Sequence, residues 1–177
     1  DGSIRQMATL DGAFRKGVAI EDWGNRVYIL DADGDQIWRY PYIKSRDVFA
    51  TGEEYKVDGS LKDAVDFAID ASVYVLNKKD GEVFRYYGGS RQNFVVQNAP
   101  FTAPEEPLRL YTDGEITFAF VLDGGAESKI YVYGKDPASS HFVYRYQVLL
   151  DSVSGVRDVF YSQNTNQIYV MDSKKIY

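Results

Sequence analysis

The stretch that decides the fold is residues 27–40, which read VYILDADGDQIWRY. Residues 73–86, VYVLNKKDGEVFRY, repeat it at the same spacing, with an Asp-Gly turn between two short apolar runs in each copy. A third copy at residues 119–133 has one inserted residue, and a fourth at residues 168–177 is shorter. Short runs rich in β-branched and aromatic residues, joined by an Asp-Gly turn, predict pairs of antiparallel strands.

The copies recur at a nearly constant interval. Aligned on Leu30, Leu76, Leu122 and Met171, they are 46, 46 and 49 residues apart. This period is typical of β-propellers, in which each repeat forms one four-stranded blade. We therefore predict an all-β fold, a β-propeller of four repeats of about 46 residues, forming a single domain over residues 1–177. The predicted blades are residues 12–57, 58–103, 104–153 and 154–177.

The two ends of the chain leave the number of blades open. The fourth repeat has only three predicted strands, while residues 3–10 predict a lone strand before the first repeat. One hypothesis is that residues 3–10 complete the fourth blade and close a four-bladed ring, which removes an unpaired sheet edge. The other is that the chain is the C-terminal part of a larger propeller. An incomplete ring would leave surfaces open to self-association.

Two further strands of the second repeat are predicted, one of them after a choice between alternatives. Residues 60–70 place apolar side chains at helical spacing, but they occupy the position of the first strand in the repeat, so we predict a strand at residues 64–69. Residues 93–97 are the predicted outer strand of the second blade.

Composition favours strands and excludes several function classes. The 177 residues are 45% hydrophobic, with 15 Tyr and 10 Phe, which favour pleated and half-buried surfaces. A net charge of −6 and scattered basic residues argue against nucleic-acid binding. No apolar run approaches the roughly 18 residues that a membrane-spanning helix needs, so no membrane insertion by this segment is predicted. With no cysteine, neither disulfides nor thiolate metal sites are available, and the compartment stays unknown.

The residue directly after the second strand is acidic or an amide in every repeat: Asp31, Asn77, Asp123 and Asp172. Such side chains commonly accept hydrogen bonds from backbone N–H groups in the following turn, which is the role we predict. A metal-binding loop is the alternative, because residues 31–35 resemble the start of a calcium loop. The twelfth position, where an EF-hand needs a bidentate carboxylate, is Tyr42, so we predict no metal site.

Candidate catalytic groups are few. His141 is the only histidine, and no nucleophile elbow or phosphate-binding loop is present. Four aspartates lie on or beside predicted inner strands: Asp63, Asp66, Asp70 and Asp158. Their spacing does not recur from repeat to repeat, so a shared central metal is not expected. We predict a non-enzyme with no catalytic, cofactor-binding or metal-binding residues. The alternative is a propeller hydrolase or lactonase that uses channel carboxylates and a divalent metal.

The loops after the second strands and between blades carry most of the acidic residues. The candidate partner-binding face consists of Asp31, Asp33, Asp35, Asp80, Asp123, Glu127 and Asp151. We predict that this face binds a protein or small ligand, such as a basic segment or a cation, which its field would steer.

The repeats also resemble known families. Residues 64–76, 83–86, 156–160 and 168–171 are similar to NHL/YVTN-type propeller repeats. More closely, they resemble the C-terminal propeller regions of PPM-type (PP2C-like) phosphatase proteins of candidate-phyla bacteria. This resemblance implies a non-catalytic sensor or docking module on the extracytoplasmic side of a bacterial membrane protein, with catalysis in another domain. The metal-binding aspartate motifs of those phosphatases do not occur here.

A second resemblance, to four-bladed hemopexin repeats, rests on residues 11–14 and 37–40. It implies a structural or adhesion propeller. The third and fourth repeats depart from that pattern, and the disulfide that joins the hemopexin ring has no counterpart.

Overall fold

The computed structural model describes residues 13–100 and 102–177, and this part of the chain is all-β. Its strands form four successive sheets, and it contains no helix that is long and apolar enough to cross a membrane. Sheet 1 contains β1 (Gly17–Asp22), β2 (Arg26–Asp31), β3 (Gln36–Ile43), β4 (Val48–Phe49) and β5 (Glu53–Glu54). Sheet 2 contains β6 (Ala64–Ile69), β7 (Val73–Asn77), β8 (Val83–Tyr87) and β9 (Ser90–Arg91). Sheet 3 contains β10 (Val96–Gln97), β11 (Pro107–Tyr111), β12 (Phe118–Asp123), β13 (Lys129–Asp136) and β14 (His141–Leu149). Sheet 4 contains β15 (Asp158–Ser162) and β16 (Gln167–Met171).

The predicted strand at residues 64–69 is confirmed as β6, and the outer strand of the second repeat needs a correction. Val96–Gln97 pairs in parallel with β14 and so belongs to sheet 3, not sheet 2. The short β9 takes the outer position in sheet 2. The glycines at positions 88 and 89, both with positive φ, turn the chain immediately into β9, and the following residues then cross to the next sheet.

The last predicted strand, residues 175–177, is reduced to a short bridge. Ile176 pairs with Met171, and the backbones of Val170 and Tyr177 exchange two hydrogen bonds. The predicted strand at residues 3–10 lies outside the described residues.

The repeat extends to irregularities that the sequence does not reveal. β1, β6 and β11 each pair antiparallel with the next strand in the chain, and each is interrupted by a register shift near its start. The shifts fall between residues 17 and 19, 64 and 66, and 107 and 109. A bulge of this kind bends the strand and re-aims the next side chain, so the residue after it points in an equivalent direction in each sheet.

The sheets pack on one another in chain order, and one strand of each sheet lies beside the equivalent strand of the next sheet. β1 packs against β6, β6 against β11, and β11 against β15, so we call these four the inner strands. Three buried apolar clusters fill the layers between successive sheets. Because each layer lies between two sheets, both faces of sheets 2 and 3 are buried, which explains their continuous apolar runs.

Four aromatic residues of the third strands lie in these layers: Phe84 and Tyr86 of β8, and Tyr131 and Tyr133 of β13. Tyr40, Tyr86 and Tyr131 are fully buried, and Phe84 and Tyr133 nearly so. These aromatic side chains are therefore part of the buried interior.

Candidate functional site

The four inner strands surround a cavity of about 300 Å³. Glu21, Asp66, Arg109, Tyr111 and Asp158 contribute its polar and aromatic side chains, and each inner strand supplies at least one of them. The cavity is therefore a product of all four sheets rather than of any single repeat.

The register of the hairpins explains why these side chains converge. Asp66, Arg109 and Asp158 pair with Leu76, Leu122 and Met171, which are equivalent residues of the repeat. Ala19, paired with Leu30, takes the same position in sheet 1.

The expectation that the inner-strand aspartates do not recur is therefore wrong for Asp66 and Asp158. The turn of the β6–β7 hairpin lies between Ile69 and Val73, whereas that of the longer β15–β16 hairpin lies between Ser162 and Gln167. Asp66 and Asp158 therefore stand at different numbers of residues before the second strand, although the strand pairing places them at equivalent positions.

Asp66 is the most enclosed acid of the cavity, with only 6% of its surface exposed. Its Oδ2 accepts a hydrogen bond from the backbone N–H of Leu110 on the neighbouring sheet, at 2.7 Å. Burial raises the pKa of Asp66 to about 7, although that hydrogen bond and the charge of Arg109 act in the opposite direction. The side chain is thus poised to exchange a proton near neutral pH.

Glu21 behaves in the same way. Burial raises the pKa of Glu21 to about 7, and the negative charges of Asp66, Asp22 and Asp158 add to the shift. Because the pKa values of both Glu21 and Asp66 are raised, ionising both side chains in the cavity is unfavourable. A bound positive charge would relieve that repulsion.

Arg109 is the one basic side chain that lines the cavity, and it is already engaged. Its Nε lies 3.8 Å from Oδ1 of Asp158, and its NH1 donates to the backbone oxygen of Leu108 at 2.9 Å. Fully ionised, the cavity therefore holds three carboxylates against one guanidinium. The ring of Tyr111 adds an aromatic wall, packed edge-on against Phe160 with centroids 5.2 Å apart.

No three acidic or histidine side chains in the described part of the chain are close enough together to hold a metal ion. The cavity carboxylates are thus arranged as separate groups around a space, rather than as one chelating cluster.

Two residues of the predicted acidic face are structural. Asp31 and Asp123 are buried, with exposed fractions of 1% and 0%. Asp31 accepts hydrogen bonds from the backbone N–H groups of Arg15, Lys16 and Gly34. Burial tends to raise the pKa of Asp31, but these hydrogen bonds outweigh it and lower the pKa below its ordinary value. Neither carboxylate presents itself to a partner.

The predicted turn role of these positions is confirmed. Asn77 accepts from the N–H of Lys79, Asp123 from that of Gly125, and Asp172 from those of Lys174 and Lys175. In sheets 1 and 3 the aspartate also accepts hydrogen bonds from the segment just before β1 or β11, which joins the start of that strand to the end of the second strand.

The other members of the face differ in exposure. Asp35 is half-buried and accepts from the N–H of Leu61 at 2.6 Å and from Lys56. The exposed members are Asp33, Asp80, Glu127 and Asp151. Docking on this face stays a prediction, now restricted to those four.

Glu127 and Asp151 share an open depression of about 550 Å³. It lies between the loops at residues 124–128 and 149–155, which are rich in Gly and Ser.

His141 has a structural role. Its Nδ1 accepts a hydrogen bond from the N–H of Val95 at 3.1 Å, and its ring packs edge-on against Phe94. These contacts fasten residues 94–95 to the edge of sheet 3.

Comparison with known proteins identifies similar folds but no family. No protein-family model and no curated protein matches the chain. A Bacteroides uniformis protein, provisionally named a 6-phosphogluconolactonase, superposes with a TM-score of 0.67 at 12% identity, over 98% of this chain and 55% of that one. The computationally designed Ika4 protein gives a TM-score of 0.59 at 18% identity, over 99% and 98% of the two chains. Hydrazine synthase of Kuenenia stuttgartiensis gives 0.55 at 12% identity, over 95% and 58%.

These similarities concern the fold alone. The chain spans little more than half the length of the lactonase-like protein and of the hydrazine synthase chain. Nearly all of the designed protein is matched.

Proposed function

We propose that the chain is a β-propeller module that binds a small organic cation in the cavity between its inner strands. The observation that carries this proposal is the convergence of Glu21, Asp66 and Asp158 on one cavity that holds a single guanidinium. The repeated hairpins, their equivalent bulges and the side-by-side inner strands support the propeller architecture. A sensor or docking role within a larger bacterial protein agrees with the resemblance of its repeats.

The ligand class follows from charge and shape. An ammonium group placed among the carboxylates would stabilise the ionised forms of Glu21 and Asp66, which burial and repulsion between the carboxylates otherwise disfavour. Tyr111 lines the cavity and supplies an aromatic ring, the kind of group with which organic cations form cation–π contacts. A cavity of about 300 Å³ accommodates a small molecule but not a folded partner.

Binding of an amine should depend on both Asp66 and pH. We expect calorimetric titration with methylammonium, tetramethylammonium and 1,4-diaminobutane to detect binding at pH 8. The affinity should be about tenfold lower in Asp66→Asn, because one carboxylate is lost. It should also fall at pH 6, since Glu21 and Asp66 have pKa values of about 7 and take up protons there.

The matched control is Asp63→Asn, which removes the same charge from an exposed site three residues away. Its affinity should equal that of the unmodified chain. Equal weakening by both substitutions, or equal binding of acetate and amines, would refute a cavity-centred cation site.

A second function, hydrolysis of lactones or esters, is favoured by one specific observation. Glu21 and Asp66 face one cavity with pKa values of about 7, which suits general acid–base catalysis near neutral pH. The similar Bacteroides fold points the same way, although it shows the fold only.

If the chain is a hydrolase, a panel of lactones and esters should be hydrolysed, with and without added calcium or zinc. Glu21→Gln and Asp66→Asn should then each reduce kcat by about 100-fold or more. Asp63→Asn should retain full activity. Absence of turnover across the panel while amines bind would decide for the binding module.

A further inference from the structure

Pairs of residues at equivalent positions pack between successive sheets. Leu30 of sheet 1 shares a buried cluster with Phe67 of sheet 2, and Leu76 of sheet 2 shares one with Leu110 of sheet 3. Leu122 of sheet 3 likewise shares one with Val159 of sheet 4. We call the face of a sheet that is turned towards the next sheet its forward face, and the opposite face its rear face. The first member of each pair lies on the forward face of its sheet, and the second member lies on the rear face of the following sheet.

A fourth such pair exists, but its members are not buried. Met171 is the forward-face equivalent of Leu30, Leu76 and Leu122, and it is 39% exposed. Ile20 is the rear-face equivalent of Phe67, Leu110 and Val159, because it directly follows Ala19 in β1. Its side chain is 65% exposed. The other six residues of the series are at most 4% exposed.

The surroundings of Met171 form an apolar groove. The groove has a volume of about 460 Å³ and is lined by Phe160, Tyr169, Val170 and Ile176, among others. Phe160 and Ile176 are themselves 52% and 64% exposed. The forward face of sheet 4 thus resembles the buried forward faces of the other sheets in chemistry, but nothing in the described part of the chain covers it.

The same chain does not bring the two surfaces together. β15 and β1 both border the central cavity, yet they do not pack on each other as the other inner strands do. On sheet 1 the outer part of the rear face is already covered, because Ile29 and Tyr40 are buried. The open part is its inner end, at Ile20.

We propose that a second copy of the chain fills this gap, so that Ile20 of one copy packs against Met171 of the other. The packing would continue the forward-to-rear contact that the chain already uses three times. Repeating it in the other direction closes a two-copy ring, because a head-to-tail contact closes when the rotation returns to its start. Ile20 also lines the central cavity, but the tests of this proposal require no ligand in that cavity.

The molecular mass in solution tests the proposal directly. We expect size-exclusion chromatography with light scattering to give twice the monomer mass of 20.1 kDa at high protein concentration. Met171→Asp should return the mass to that of one chain, since it places a charge in the contact. Tyr146→Asp is the control, because Tyr146 is exposed on sheet 3 and its variant should keep the double mass.

Crosslinking identifies the contact. The chain has no cysteine, so Ile20→Cys and Met171→Cys variants each carry one thiol. A short bis-maleimide should join the two variants when they are mixed, but neither variant to itself. In the double variant it should give a crosslinked dimer.

Three results would overturn the proposal. A single-chain mass at all concentrations excludes the second copy. A double variant that crosslinks within one chain would instead indicate a closed four-sheet ring. A dimer that persists in Met171→Asp would place the interface elsewhere.

Discussion

Replacing Asp66 by asparagine is expected to stabilise the protein by ~2–4 kcal/mol at pH 8 and to leave its stability nearly unchanged at pH 4. Burial raises the pKa of Asp66 from 3.8 to about 7 in the folded chain. The stability contributed by the protonated group is therefore complete below pH 4 and is lost as the pH rises towards 7. Asparagine stays neutral and can still accept the hydrogen bond from Leu110. Urea unfolding at the two pH values measures the difference.

The control for this prediction is again Asp63→Asn. The Asp63 side chain is exposed, so its substitution should change the free energy of unfolding by less than about 0.5 kcal/mol at either pH. An Asp66→Asn effect of the same size at pH 4 and pH 8 would mean that the buried carboxyl is ionised throughout this range.

The order of the strands could be predicted from the local sequence because the same pattern recurs in each repeat. The apolar spacing of residues 60–70 alone fits a helix, but its place in the repeat correctly indicates β6. Val96–Gln97 shows the limit of this reasoning. Two residues with a strand-like composition do not specify their partner, and a sheet edge is chosen by packing rather than by propensity.

The cavity was only partly predictable. Asp66 and Asp158 are candidate channel acids in the sequence, but their equivalence depends on strand pairing and hairpin length, which residue counting does not reveal. Glu21 carries no signal at all in the sequence. It becomes important only because the packing of β1 on β6 places it beside Asp66.

The acidic face illustrates the opposite error. A sequence shows that a turn is acidic, but not whether its carboxylates point into solvent or bind backbone groups. Asp31 and Asp123 have the residue type and spacing of a charged rim, yet both are buried. Both carboxylates accept hydrogen bonds from backbone N–H groups about 15 to 18 positions earlier in the chain, so these contacts are evident only in the folded sheet.

Asp123→Ala is expected to lower the free energy of unfolding by ~3–5 kcal/mol. The Asp123 carboxylate accepts hydrogen bonds from the backbone N–H groups of Glu105, Glu106 and Gly125, at 3.1, 2.7 and 3.2 Å. Alanine would leave these donors without an acceptor in a part-buried site, and each unsatisfied donor costs about 1–3 kcal/mol. Thermal and urea unfolding measure the loss.

Glu127→Ala is the matched control, because it removes a carboxylate from the same loop at an exposed position. Its effect should stay within about 0.5 kcal/mol. If Asp123→Ala is equally mild, the hydrogen bonds from residues 105 and 106 contribute little to stability. If it is severe, any loss of partner binding in an Asp123 variant reflects unfolding. Docking on the acidic face must then be tested with Asp33, Asp80, Glu127 and Asp151, which can change charge without removing a buried acceptor.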